Sequence, residues 1–268
     1  MKKGIMIIGI IIAVLFGVIF NNSFYDDESS DSIIDKPTFS KIKDKELPSY
    51  MNGATILKKR GFTIGFSKKH RHAFWVAYKL DCNESNGEYD RTNYFQEDQI
   101  LGKYSPSTND YYASGYDKGH LIPAADISSD SLSMHDSFLM SNVSPQIPAF
   151  NRGLWKRLEH QVREWSCQYD SIYVITGAVL DDNLTSIGKR KVAVPDYYYK
   201  SILLYKREQQ STISFYIYQY TEDDNLNNFI ISTDSLESIL GYDLFHNLDD
   251  SLEAKIESRI DSLVWVVD

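Results

Sequence analysis

Apolar residues are spaced in three ways along this chain, and each spacing predicts a different element. From Gly4 to Phe20 they run almost unbroken, with Lys2 and Lys3 before them and Asp26, Asp27 and Glu28 after. From residue 21 to 45 they give way to Ser, Asp and Lys, with Pro37 inside the stretch and Pro48 just beyond it, which is the composition of a flexible tether. The remainder, residues 46 to 268, reads as one domain. Within it, Phe62–Phe66, Phe74–Tyr78, Ile172–Thr176, Tyr198–Tyr205 and Ile213–Tyr220 alternate or run apolar as strands do. The basic group Lys68–His72 between the first two suits a hairpin turn, which would leave His70 and His72 to solvent or to a substrate phosphate. A loop-rich stretch rich in Tyr, Asn, Ser and Asp fills residues 83 to 116.

The third spacing is helical. Over Asn151–Cys167, Leu154, Trp155, Leu158, Val162 and Trp165 fall within one arc of roughly 100° and form a core stripe. Asn151 starts on the same arc, Glu159 flanks it, and His160 falls on the opposite, solvent side. A polar Asn at the head of a buried stripe is either a helix cap or a ligand. Ser235–Leu240 predicts a short helix ended by Gly241. Long strands with few helices predict an α+β fold, with a mostly antiparallel central sheet and flanking helices.

Charge and cysteine content change the picture in two places. The order basic, apolar, acidic at residues 1–20 and just after predicts an N-terminus left in the cytoplasm and a body exported from it. The run of about 17 residues lies between a signal-peptide core and a full membrane span, so a cleaved signal and a membrane anchor both stay open. The domain is then either membrane-anchored on the outside, or periplasmic or secreted. In an oxidising compartment Cys82 and Cys167, the only two cysteines, either form a bridge or are separate buried residues. The net charge of -9 excludes binding to nucleic acid by bulk electrostatics. Any such binding needs a local basic cleft and a metal ion. The 19 tyrosines are mostly expected as half-buried sheet packing.

Candidate chemistry is concentrated in one region. Asp117-Lys118-Gly119-His120 leads into Leu121-Ile122-Pro123-Ala124-Ala125-Asp126. Met140-Ser141-Asn142-Val143-Ser144-Pro145-Gln146 and Asn151-Arg152-Gly153-Leu154-Trp155 follow. These segments resemble the DNA/RNA non-specific endonuclease family, the group of Serratia-type nuclease and mitochondrial endonuclease G, which shares a ββα-metal active-site core. Its members carry Asp-Arg-Gly-His, Ser-Asn-x-x-Pro-Gln and Asn-x-x-x-Trp in that order. Val174–Gly177, Val194–Lys200 and Leu236–Phe245 also look like the family, so the likeness runs from about residue 60 to 246.

The resemblance implies a metal-dependent endonuclease that hydrolyses phosphodiesters of DNA and RNA without sequence preference, because phosphate contacts carry no sequence information. It implies His120 as general base, its ring held by a backbone carbonyl, a role that suits an imidazole titrating near neutrality. Asn151 would bind the metal directly and Glu159 through water. One neutral oxygen ligand suits Mg²⁺, which keeps most of its waters, with Mn²⁺ or another divalent ion able to replace it. Arg91, in Arg91-x-x-x-Phe95-x-x-Asp98, would reach the scissile phosphate. Lys118 stands where better-known members have Arg, and so keeps the charge but loses the two-pronged grip. Asn142 would orient its loop or contact phosphate, Asp117 would brace the turn, and Gly119 would let phosphate approach the backbone. Lys200 matches a lysine of the family and is expected in a salt bridge. Beside the nucleic-acid substrate, the membrane is an expected partner if residues 1–20 are not cleaved. The alternative is a catalytically weak nuclease-fold module that binds nucleic acid or a partner at the cell surface. The acidic balance and Lys118 favour it; the intact set of His120, Asn151 and Glu159 speaks against it.

Overall fold

A computed structural model describes residues 44, 47–83, 89 and 93–267, all within one compact unit, Pro37–Asp268. The apolar run at 4–20, nearly all of the 21–45 tether and Arg91 therefore lie outside the described residues. Among the described residues no helix is long and apolar enough to cross a membrane.

The strands are β1 (Ala54–Lys58), β2 (Phe62–Ser67), β3 (His72–Asp81), β4 (Asp117–His120), β5 (Val143–Gln146), β6 (Ser171–Ala178), β7 (Ser186–Ile187), β8 (Val192–Ala193), β9 (Tyr197–Tyr205), β10 (Gln210–Tyr218) and β11 (Ile230–Ile231). Seven of them form one sheet in the order β1-β2-β3-β6-β9-β10-β11, and every pairing in it is antiparallel. Two small antiparallel ribbons, β4-β5 and β7-β8, stand apart from it. The helices are α1 (Ser131–Ser137), α2 (Pro148–Arg152), α3 (Leu154–Gln168), α4 (Thr233–Leu240) and α5 (Asp250–Glu257). The α+β fold with an antiparallel sheet and flanking helices is the one the hydrophobic pattern predicts. β1 escapes the pattern because its alternation is short and three of its five residues are only half-buried.

Side chains alternate across the sheet, and the two faces build two cores. Val76, Tyr78, Val174, Tyr198 and Ile202 meet Leu154, Trp155, Leu158, Val162 and Trp165 of α3 on one face. Trp75, Ala77, Ile175, Tyr199 and Leu203 meet Leu236 of α4 and Ile256 of α5 on the other. The α3 stripe is thus the buried arc predicted from its period, and His160 is exposed beside Glu164. Trp155 packs between Phe150 and Tyr198, with ring centroids 5.3 and 5.7 Å away. Removing so large a buried ring would cost about 3–5 kcal/mol. At α4, Gly241 takes the left-handed conformation (φ 76°) and its N–H caps Glu237, which is why the helix stops there.

Two expectations are corrected. The helix expected over Asn151–Cys167 is broken: α2 ends at Arg152 and α3 begins at Leu154, with Gly153 between them at φ -106°, ψ -106°. A Cβ on Gly153 would lie 2.4 Å from the Ala149 carbonyl oxygen, so close approach of backbone demands glycine here. His72 is the first residue of β3 and fully buried, not part of a solvated turn. Its Nδ1 lies 2.7 Å from the Ala73 carbonyl oxygen, which fixes it as the donor and leaves Nε2 to accept from Ser144 Oγ. Burial pushes the ring pKa down to about 4, so it is neutral at physiological pH. His70 is half-buried, with its ring Nδ1 2.8 Å from Ser67 Oγ. The question left open for the cysteines resolves as a bridge: Cys82, just after β3, is disulfide-bonded to Cys167 near the end of α3.

Candidate active site

The β4-β5 ribbon carries the first motif. Asp117 pairs with Gln146, Lys118 with Pro145, Gly119 with Ser144 and His120 with Val143. Ser144 ties the ribbon to the sheet, because its hydroxyl bonds both His72 and Tyr198. Period-2 alternation then sends Lys118 and His120 to the same face of β4. That face opens on a cavity of about 420 Å³ lined by Lys118, His120, Asn151, Arg152, Lys156, Glu159 and Arg163, among others.

His120 is 8% exposed. Aromatic walls hold its ring: Phe95 at 5.2 Å and Phe138 at 4.8 Å between centroids. Phe95 also lies under the Lys118 ammonium, 5.2 Å from it. One ring therefore positions both the histidine and the cation two residues before it. Lys118 is half-buried against this wall, with its charge toward the cavity.

Asn151 sits near the end of α2 and makes no helix cap. Its Nδ2 donates to Asp117 Oδ2 at 2.9 Å. The same carboxylate accepts two bonds from Arg152, at 2.7 and 2.8 Å. Burial opposes its charge, but the hydrogen bonds from Arg152 and Asn151, with the nearby Arg152 and Lys118 charges, outweigh it and hold the carboxyl below its usual range. Asp117 is thus an anion committed to orienting Asn151. With Nδ2 so engaged, Oδ1 is the end of the amide left for a cation. A hard divalent ion fits this donor set, one amide oxygen with the Glu159 carboxylate lining the same cavity.

The wall of α3 was only partly visible in sequence. Lys156, Glu159 and Arg163 share one edge at i, i+3 and i+7, the signal by which Lys156 and Arg163 can be found beside Glu159. Arg163 is fixed by Asp126, which accepts from it at 2.9 Å and from the Tyr78 hydroxyl at 2.7 Å while only 1% exposed. Four cations and one carboxylate therefore line the cavity of a chain whose net charge is -9. This is the local basic cleft that the overall charge requires of a protein acting on phosphate.

One open role is decided, and two predicted roles change. Asn142 is 0% exposed, and its amide bonds the Ile122 N–H and carbonyl and the Ser137 carbonyl. It pins the loop that follows His120 and has no amide function left for phosphate. Gly119 does not open the backbone to substrate, because a Cβ there would meet Gln146 Oε1 at 2.1 Å. The vacant side-chain position is filled from β5. Lys200 forms no salt bridge among the described residues: it is fully buried beneath α3, its Nζ 4.9 Å from the Trp155 ring centroid and without a hydrogen bond to any of them. Burial lowers its pKa to about 8, against the opposing pull of the Glu159 and Asp126 charges.

A sequence profile of DNA/RNA non-specific endonucleases matches residues 40–251, most of the chain. The chain belongs to the DNA/RNA non-specific endonuclease family. Human mitochondrial endonuclease G is 32% identical over 213 residues, covering 73% of this chain and 72% of that protein. A nuclease of Nostoc sp. is 29% identical over 219 residues, covering 77% and 79%. A chain in the crystal structure of the EndoG/EndoGI complex superposes with a TM-score of 0.71 at 24% identity, covering 79% of this chain and 94% of that one, and so shares the fold. As a member of the family, this non-specific endonuclease is a metal-dependent hydrolase of nucleic-acid phosphodiesters. His120, Lys118, Asn151 and Glu159, predicted from separate motifs, meet at one cavity in it.

Proposed function

We propose that this endonuclease cleaves both DNA and RNA with Mg²⁺, using His120 as general base. The observation that carries the reading is the shared cavity: a histidine on one wall, and on the other an amide whose donor end is taken by Asp117. Asn151 would hold the ion directly and Glu159 through water. An ion held there supplies Lewis acidity and neutralises charge gathering on the leaving oxygen. His120 takes the proton from the attacking water, its ring kept from rotating by Phe95 and Phe138. Lys118 and Arg163 supply positive charge for the phosphate as negative charge grows on it. Arg91 belongs to the same phosphate-contacting set by its motif. None of these groups reads a base edge, in keeping with cleavage that ignores sequence.

We further propose export from the cytoplasm. The basic-apolar-acidic order of the N-terminal segment supports it, as does the Cys82–Cys167 bridge, a bond that persists in oxidising compartments.

The experiment is digestion of plasmid DNA, single-stranded DNA and RNA in parallel, with Mg²⁺ and with EDTA. Wild-type protein cleaves all three with Mg²⁺ and none with EDTA. His120→Ala lowers the rate by roughly 10²–10⁴-fold. Undiminished cleavage by His120→Ala would remove the general-base assignment.

A further inference from the structure

The face of the sheet away from α3 carries a group of acids that phosphodiester chemistry does not use. Asp234 and Glu237 lie at i and i+3 on α4, so both project from one side of that helix. Glu257 is the last residue of α5. One carboxylate oxygen from each lies within 4.8 Å of the others. Asp234 is exposed, Glu237 half-buried and Glu257 only 1% exposed. Neither oxygen of Glu257 has a hydrogen-bond partner among the described residues.

A carboxylate buried this deeply without a donor is costly unless something positive or protic meets it. The side chain is not left over from loose packing. Its neighbour Ile256 is in the core, and the Ile256 carbonyl accepts from Thr212 of β10. Helix α5 is therefore seated, and its last residue is held against α4. Beyond burial, the groups that raise the energy of its charged form are Glu237, Glu253, Asp243 and Asp234, all acidic. Glu237 also accepts from the Leu244 N–H at 2.7 Å.

We propose that Asp234, Glu237 and Glu257 form a divalent-cation site, suited to Ca²⁺, that ties α4 to α5 on the sheet face opposite the catalytic cavity. The three oxygens lie close enough together for one cation to touch all of them. Calcium accepts six to eight oxygens in loose geometry, and the exposed Asp234 edge leaves room for waters to complete the shell. The ion would be structural. It lies across the sheet from the proposed catalytic ion, whose ligands Asn151 and Glu159 belong to the α3 side.

The test is Ca²⁺ binding by calorimetry, with thermal unfolding, on the full chain as wild type, Asn151→Ala, Asp234→Asn and Glu257→Gln. Ca²⁺ in hundredfold excess over its dissociation constant raises Tm by about 5 °C. The rise and one binding event survive in Asn151→Ala, which reports on the catalytic ion alone. Both weaken at least about tenfold in apparent affinity in Asp234→Asn and vanish in Glu257→Gln. Should Glu257→Gln fail to fold, Asp234→Asn decides, since its side chain is exposed and its replacement nearly isosteric. A Ca²⁺ response equal in wild type and both cluster variants, or absent from all of them, overturns the proposal. So does a Glu257→Gln protein that is more stable than a wild type unresponsive to Ca²⁺, which would mean that the cluster holds protons. Nuclease activity enters none of these readings, so the proposed catalytic roles stand or fall separately.

Discussion

Asp117 and Phe95 do the least visible work at the site and decide its geometry. Asp117 is no metal ligand, yet it takes the Asn151 Nδ2 and two Arg152 donors on one carboxylate. Replacing it by Asn keeps the size but removes the anion that tells the two ends of the Asn151 amide apart. The expected outcome for Asp117→Asn is a rise of roughly 10–100-fold in the Mg²⁺ concentration for half-maximal cleavage, with little change in Tm. Measuring rate against Mg²⁺ checks this, and an unaltered metal requirement would confine Asp117 to bracing the turn. Phe95 lies under both Lys118 and His120. Lysine needs only a charge near the phosphate, so an aromatic wall that limits its reach supplies part of what a planar guanidinium would supply by its fork. His120, Asn151 and Glu159 are legible in sequence because their chemistry is. For Asn142 the sequence offers two readings, loop or phosphate, and only its burial selects the loop.

At the scale of elements, the α2-α3 break carries the most consequence. Continuous helical periodicity through Asn151–Cys167 hides it, because a single Gly costs little in a helical pattern. The break turns α2 so that Asn151 points at Asp117 while Glu159, on α3, still borders the same cavity. A Cβ on Gly153 would have to displace the Ala149 carbonyl. Gly153→Ala should therefore fold at a cost of about 1–3 kcal/mol and lose about 100-fold in rate through misplacement of Asn151. Cleavage rate and Tm measured together check this, and a wild-type rate in the Ala variant would show that the angle of α2 is irrelevant to catalysis. The β4-β5 ribbon shows the same limit. Its register fills the space at Gly119 with Gln146, a long-range pairing that no local pattern encodes.

For the whole molecule, two tethers act on opposite sides of the sheet. On the α3 side, the Cys82–Cys167 bridge closes a separation of 85 residues that contains the entire ribbon and helix of the active site. A loop of that length is worth about 4.6 kcal/mol in lost unfolded-state entropy. Cys82→Ser with Cys167→Ser, or reduction of the wild type, should lower Tm by roughly 10 °C, and equal melting with and without reductant would show that the bridge adds nothing. On the other side, α4 and α5 meet through the carboxylates of the proposed cation site. Bulk charge and local charge also part company at this scale: a chain at net -9 gathers four cations around one cavity. Only the arrangement in space can reconcile a nuclease with an acidic composition.

The sequence by itself determined the α+β class, the buried stripe of α3, most of the long strands and the family, and it singled out residues that meet at one cavity. These follow from local period and residue type, which survive without knowledge of the fold. The tertiary structure alone decided that Asn151 is oriented by Asp117, that Asn142 and Gly119 serve the ribbon and its loop, that His72 and Lys200 are buried, and that Glu257 meets two acids of another helix. Each depends on a contact between distant segments, and such contacts are set by packing across the sheet.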